Sequence, residues 1–172
     1  AKISAARSSN SSDGNSIKSK IAHIIGKILY KKYVNVRIAP SDLAARYTFG
    51  NKAYKNGSVT ILHNAIDLKN FCFDYQQRNA IRKEFGISNE TTVIGHVGRF
   101  MPQKNHKFIV EIFFRYVKEN PNSILFFVGK GELEPSIKKD IMELGLSDKV
   151  LFLGVRSDVA SVLSAMDCFV LP

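Results

Sequence analysis

Gly98, Arg99 and Lys104 lie in the loop Val97-Gly98-Arg99-Phe100-Met101-Pro102-Gln103-Lys104-Asn105-His106, which joins an apolar run to an amphipathic one. A backbone free to come close, with two fixed cations beside it, is a means by which an α/β domain can hold a phosphate. Two further loops repeat the theme. Gly129-Lys130-Gly131-Glu132 sets two glycines and a lysine ahead of a helical stretch, whose first N–H groups could meet an anion. Gly154-Val155-Arg156-Ser157-Asp158 again runs from glycine through a cation to a residue able to cap a helix. Each loop has a plainer reading. Arg99 alone is more often a solvated surface charge, Gly129 and Gly131 are equally turn formers because a lone G-x-G is weak, and Asp158 is most simply an N-cap. Three glycine-and-cation loops at equivalent ends of consecutive strands are harder to explain as surface accident.

The elements that would position these loops alternate along the second half of the chain. The nearly continuous β-branched run 91–97 is expected of a parallel strand covered on both faces. Strands are predicted over 93–97, 124–128, 150–153 and 168–171, with helices over 105–120, 132–144 and 158–166. Asn105 would cap the first of these helices, Ile109, Ile112, Phe113, Tyr116 and Val117 recur at helical spacing within it, and Pro121 stops it. Such alternation predicts an α/β fold of Rossmann-like open parallel sheets, in which ligands bind beyond the carboxyl ends of the strands. All three loops should then share one edge. Upstream come a Ser/Asn-rich stretch (8–15), a long basic helix (17–32), an extended piece (36–39), a helix begun by the cap Ser41, and a β-rich run (58–62). Residues 1–65 are therefore expected to end one α/β domain, 66–74 to form a linker, and 75–172 to begin a second domain.

The 172 residues, 45% hydrophobic and 23% charged, suffice for a buried core in one or two small domains. A formal charge of +10 calls for an anionic partner, whether a nucleotide diphosphate, an acidic membrane surface or nucleic acid. Nucleic acid is disfavoured, because no aromatic stacking motif or recognition helix is present. Cys72 and Cys168 are far apart and in no metal-ligand spacing, which argues against a disulfide or zinc site and fits a reducing, cytoplasmic setting. His63, His96 and His106 form no metal spacing either, and each reads as a hydrogen-bonded or surface histidine. No Asp-x-Asp pair is present to clamp a divalent metal. No apolar run approaches the roughly 18 residues of a membrane span. The chain starts without an initiator Met or a signal-peptide pattern and is expected to be an interior piece of a longer protein.

The 17–32 segment combines an apolar face (Ile17, Ile21, Ile24, Ile25, Ile28, Leu29) with Lys18, Lys20, Lys27, Lys31 and Lys32. A basic amphipathic helix of this kind can lie on an anionic membrane as a peripheral contact. The plainer alternative is a domain helix with its apolar face on a sheet and its lysines in water.

Taken together, Thr92-Val93-Ile94-Gly95-His96-Val97-Gly98-Arg99-Phe100 with Lys104-Asn105-His106, Leu125-Phe126-Phe127-Val128-Gly129-Lys130-Gly131-Glu132, Val150-Leu151-Phe152-Leu153-Gly154 with Asp158, and 165–172 resemble a known family. In order and spacing they are similar to the group 1 retaining glycosyltransferases of the two-Rossmann-domain (GT-B) fold. Asn64-Ala65-Ile66-Asp67 resembles that family's interdomain segment, and Asn10-Ser11-Ser12-Asp13-Gly14 a loop of its bacterial capsule and exopolysaccharide members. The resemblance implies transfer of a hexose from a nucleotide-diphosphate donor to a hydroxyl of a lipid-linked or saccharide acceptor, with retention and without an essential metal. The nucleotide sugar would be a substrate, so no cofactor is implied. Arg99 and Lys104 would bind the donor diphosphate and stabilise the leaving group, and Gly98, Gly129, Lys130 and Gly131 would line the donor site. The Val155, Arg156 and Asp158 loop would line the nucleotide, touching the base through backbone at Val155 or Arg156. The family continues beyond Pro172 into a glutamate-bearing segment that holds sugar and ribose, so the chain as given is expected to be inactive alone. Members often carry His-Ser-His or His-Ser-Arg where Arg7-Ser8-Ser9 stands here. The alternative from another class is a non-catalytic nucleotide- or polyanion-binding module.

Overall fold

The structure, a computed structural model, describes residues 3–5, 21, 24–26, 28, 29 and 33–172. The chain divides into two compact units, Ala1–Ile66 and Asp67–Pro172. The first unit holds a parallel three-stranded sheet in the order β1 (Ile3–Ala5), β2 (Val36–Ala39), β3 (Thr60–Ile61). Ser41 begins the Asp42–Phe49 helix as expected, its hydroxyl accepting the Ala44 N–H at 3.2 Å. That helix buries Ala44, Ala45 and Phe49 with Ala39 and Val59. Of the predicted basic helix, residues 21, 24–26, 28 and 29 are helical; the others, like Arg7 and the 8–15 stretch, lie outside the described residues. Among the described residues of that helix, Ile21, Ile24, Ile25, Ile28 and Leu29 are exposed in this chain.

The second unit is a parallel sheet in the order β6-β5-β4-β7, with β4 at Thr92–Val97, β5 at Ser123–Val128, β6 at Val150–Gly154 and β7 at Cys168–Phe169. Side-chain alternation in β5 explains its unbroken apolar sequence. Leu125 and Phe127 join Ile109, Phe113 and Ile137 on one face, while Phe126 and Val128 join Ile81, Val162 and Ala165 on the other. Helices His106–Glu119 and Glu134–Glu143 therefore cover the first face, and Tyr75–Glu84 and Val159–Ala165 the second.

Several local details differ from expectation. The Tyr75–Glu84 helix was not anticipated, because its sequence is mostly polar and it buries only Ile81 and Arg82. Its start is nonetheless written in Asp74, whose carboxylate accepts the N–H groups of Gln76 and Gln77 at 2.8 and 3.0 Å. Asn105 stands at the N-cap of the next helix but makes no side-chain cap bond. It adopts a left-handed conformation (φ 42°), continuing from a short 3-10 turn at Pro102–Lys104. Asp158 likewise occupies an N-cap without capping.

At the amino edge of the sheet, the Arg82 guanidinium is buried and each of its nitrogens donates. It donates to the carbonyls of Ala165 (3.1 Å), Ser88 (2.8 Å) and Thr91 (3.0 Å) and to the Asp167 carboxylate (2.7 Å). Asp167 also accepts from Arg78 at 2.6 Å and from the Val93 N–H at 2.7 Å. Burial alone would raise the Asp167 pKa. The Val93 and Arg78 hydrogen bonds and the two guanidinium charges outweigh it and hold the carboxyl below the usual range. One carboxylate thus joins the Tyr75–Glu84 helix, the start of β4 and the entry to β7. Asp167→Ala leaves the buried Arg82 without its counter-charge and is expected to destabilise the protein by about 3 kcal/mol. Urea unfolding of the variant against the parent measures this, and a loss below about 1 kcal/mol, the range of a surface pair, would contradict the account.

Candidate functional site

The three glycine-and-cation loops do converge at the carboxyl edge of β4, β5 and β6. Backbone hydrogen bonds stitch them in series. The Gly98 N–H donates to the Val128 carbonyl (2.9 Å), the Phe100 N–H to the Lys130 carbonyl (3.2 Å), and the Gly129 N–H to the Gly154 carbonyl (2.7 Å). This close approach decides the role of the glycines in the second loop. A Cβ at Gly129 would run into the Gly98 carbonyl oxygen, and one at Gly131 into the Phe100 backbone; Gly129 also has φ 134°. The G-x-G pattern therefore serves loop-to-loop packing, a role beyond that of a simple turn.

Between the loops lies an open cleft of about 490 Å³. It brings together Gly98 and Arg99 from the first loop, Gly129, Lys130 and Gly131 from the second, and Val155 and Arg156 from the third, with Val97, Val128 and Val159 as apolar lining. Lys104 and Asp158 belong to the same loops but do not line it. A smaller cavity of about 230 Å³, away from these loops, is lined by Glu111, Asp140 and Glu143 with Lys107 alone opposing them, a balance unsuited to an anion.

The charges of the cleft divide sharply. Arg156 is committed to the protein, contacting Asp158 at 2.6 Å and Glu84 at 2.7 Å. Its hydrogen bonds to Asp158 and then Glu84 hold its proton more firmly than usual, and the bond with Arg156 holds the Asp158 carboxyl below its ordinary value despite some burial. Asp158 thus orients Arg156 in place of capping its helix. By contrast, none of the ion pairs among the described residues engages Arg99, Lys104 or Lys130. The rim keeps uncompensated positive charge.

Sequence reasoning passed over what lies under the first loop. His63 is an exposed histidine bonded to the Pro40 carbonyl, in line with the reading made for all three histidines. His96 and His106 are buried, 0% and 1% exposed, with their rings in edge-to-face contact at 4.9 Å. Burial lowers both pKa values, that of His106 to about 4, with His96 and the Lys104 charge acting in the same direction. The sequence signal was their place at either end of the cationic loop, one in a strand and one at the first turn of a helix.

The comparisons with known proteins agree with this architecture. The model of the family described as "Glycosyl transferases group 1" matches residues 77–172. The chain is 33% identical over 118 residues to the UDP-Gal:alpha-D-GlcNAc-diphosphoundecaprenol alpha-1,3-galactosyltransferase of Escherichia coli, covering 66% of this chain and 30% of that one. It is 30% identical over 136 residues to the alpha-monoglucosyldiacylglycerol synthase of Acholeplasma laidlawii, covering 76% of this chain and 34% of the relative. The chain thus spans about a third of the length of these relatives. Among solved structures, HepE of Anabaena in complex with UDP and glucose superposes with a TM-score of 0.79 at 20% identity, over 97% of this chain and 45% of that one. This likeness shows the fold.

Two outcomes are expected of the site's construction. Gly129→Ala forces the first loop away and places a side chain at positive φ, at a cost of about 2 kcal/mol in chemical unfolding; an unchanged midpoint would show that the loops are not in contact. The buried histidines bind protons more weakly folded than unfolded, so the unfolded state takes up protons first as pH falls. Stability is complete above the unfolded histidine pKa near 6.5 and declines as pH falls from there towards about 4. Replacing both histidines should flatten that part of the stability profile, measured by thermal unfolding across pH.

Proposed function

The chain belongs to the group 1 glycosyl transferases, and on that premise we propose that the protein transfers a hexose from a nucleotide-diphosphate sugar to a hydroxyl acceptor, with retention, in surface polysaccharide or glycolipid assembly. The observation that carries the proposal is the set of unpaired cations, Arg99, Lys104 and Lys130, on loops stitched around a cleft at the carboxyl edge of a parallel sheet. Such an edge is where open α/β sheets bind ligands.

The chemistry follows from the charge that develops. The bond from the anomeric carbon to the phosphate oxygen breaks, and its electron pair leaves with the nucleoside diphosphate. A bond to the acceptor oxygen forms on the same face, and the acceptor proton passes to the departing phosphate oxygen. No separate protein nucleophile is needed. The leaving diphosphate is more negative in the transition state than in the bound donor, so preorganised cations favour the transition state. Arg99 supplies a planar fork and Lys104 a compact charge. Lys130 joins them from the cleft wall. Arg156, already neutralised, shapes the third loop, so that the Val155–Arg156 backbone, and not the guanidinium, meets the base. The protein's own cations take the part a divalent metal would play, and the nucleotide sugar is consumed as a substrate, with no cofactor.

The setting proposed is cytoplasmic, with peripheral contact to the inner face of the membrane. Exposed Ile21, Ile24, Ile25, Ile28 and Leu29, in a stretch bearing five lysines, support that contact and with it a lipid-linked acceptor. No described helix is long and apolar enough to cross a membrane.

In the full-length protein, Arg99→Ala and Lys104→Ala should each lower kcat/KM for donor by roughly 100-fold, about 3 kcal/mol of transition-state stabilisation. Parental turnover in both variants would remove this pair from the mechanism, and measurable binding of uridine or guanosine diphosphate sugars without any transfer would favour a binding module instead. Turnover should survive excess chelator, and its loss on chelation with recovery on adding a divalent ion would overturn the metal-free reading.

A further inference from the structure

The hydrogen bonding of His96 fixes more than its place in the core. Its Nδ1 lies 2.8 Å from the Val170 carbonyl, which can only accept, so in the neutral ring Nδ1 carries the proton and Nε2 the lone pair. That Nε2 is buried and has no partner among the described residues. It lies 2.6 Å from where a Cβ at Gly98 would stand, so the imidazole occupies the space under the start of the cationic loop. His106 supports the next part. Its ring stacks on Phe100 at 4.2 Å and 18°, and Phe100 is the residue whose N–H ties the first loop to the second. Neither nitrogen of His106 has a partner among the described residues.

Three buried ring nitrogens without partners weaken a core that phenylalanines could fill without that penalty. Packing alone does not explain this choice. The pair's surroundings are the apolar rings of Phe100, Phe127 and Phe169, the Val170 carbonyl and one charge that bears on both histidines, the Lys104 ammonium. A neutral imidazole presents the negative end of its dipole at an unprotonated nitrogen, which favours a nearby ammonium, whereas an imidazolium repels it.

We propose that His96 and His106 are positioning residues for the donor-binding loop: a neutral imidazole pair that sets the height of Gly98 and Phe100 and, between them, the place of Arg99 at the cleft. The proposal rests on the reading that Arg99 and Lys104 bind the donor diphosphate. It implies a donor affinity that depends on the pair remaining uncharged. The diphosphate diester of a nucleotide sugar takes up no proton in the range where histidines titrate, so an acidic loss of affinity would originate in the protein.

The test uses the full-length protein with UDP-glucose as probe. His96→Asn retains an N–H for the Val170 carbonyl and removes the ring edge beneath Gly98. It should raise the donor KM on the order of tenfold while leaving the acceptor KM close to parental. An unchanged donor KM in a folded His96→Asn protein overturns the proposal. His106→Phe keeps a ring on Phe100 but cannot titrate. The ratio of UDP-glucose affinities at about pH 7 and about pH 4 should fall towards one in this variant and exceed one in the parent. Equal ratios in both overturn the proposal, and this arm decides should His96→Asn fail to fold. Lys104→Ala in the same assay separates the two levels. If it binds donor like the parent, the reading of the site fails; if it binds weakly while the histidine variants behave as the parent, only the positioning role fails.

Discussion

The close approach of two loop backbones governs the construction of the site. Gly98 to Phe100 lie directly against Gly129 to Gly131, joined by the Gly98–Val128 and Phe100–Lys130 bonds, with no room for a side chain at either glycine of the second loop. Because the loops are continuous with β4 and β5, which pair in register from Thr92–Ser123 to Val97–Val128, the sheet fixes their separation before any ligand arrives. Arg99 and Lys130 then face one cleft as a consequence of strand register. A site held by backbone contacts on a rigid sheet needs little reorganisation when charge develops in it, which is the condition under which fixed cations act most strongly.

The two edges of this sheet are built on opposite principles. At the amino edge every nitrogen of Arg82 finds an acceptor and Asp167 is surrounded by donors, so burial of the charges is compensated. At the carboxyl edge, Arg99, Lys104 and Lys130 have no ion pair and imidazole nitrogens are buried without partners among the described residues. The first arrangement consolidates helix, strand and chain return. The second is unfavourable to the folded protein taken alone, a cost that the proposed binding of a diphosphate would offset for the cations. Arg156 marks the boundary between the two: it lines the cleft, but Glu84 and Asp158 make it part of the framework.

Much of this was legible in the chain. The β-branched run before Gly98 and the apolar run before Gly129 could be read as strands covered on both faces, and the recurrence of glycine and cation after them located the carboxyl edge. What escaped the sequence depends on distance in three dimensions. That Glu84 would neutralise Arg156 requires two residues 72 positions apart to meet at 2.7 Å, which no local pattern encodes. The Tyr75–Glu84 helix was hidden because its inward face carries an arginine where periodicity looks for apolar residues, and that arginine is acceptable only because Asp167 arrives from the far end of the unit. Asp158 was mistaken for a cap because its residue type suits that position, yet a guanidinium two residues away competes more strongly for its carboxylate than neutral backbone N–H groups do.

His96 and His106 show why burial changes the meaning of a residue type. As letters in a strand and at a helix start they suggested surface or routine hydrogen bonding. Placed together beneath a cationic loop, they answer a difficulty that the loop creates. Lys104 sits at the end of a short 3-10 turn followed by a left-handed residue, a backbone that directs the chain into the next helix but leaves a long flexible side chain without an ion pair. A carboxylate beneath the loop would cancel the charge that the proposed diphosphate requires. A buried imidazole fills the space under Gly98 and stacks on Phe100 while, as long as it is neutral, adding no net charge to the loop. The fold can keep it neutral because the burial that makes its unpaired nitrogen costly also disfavours its protonation, and Lys104 reinforces that preference.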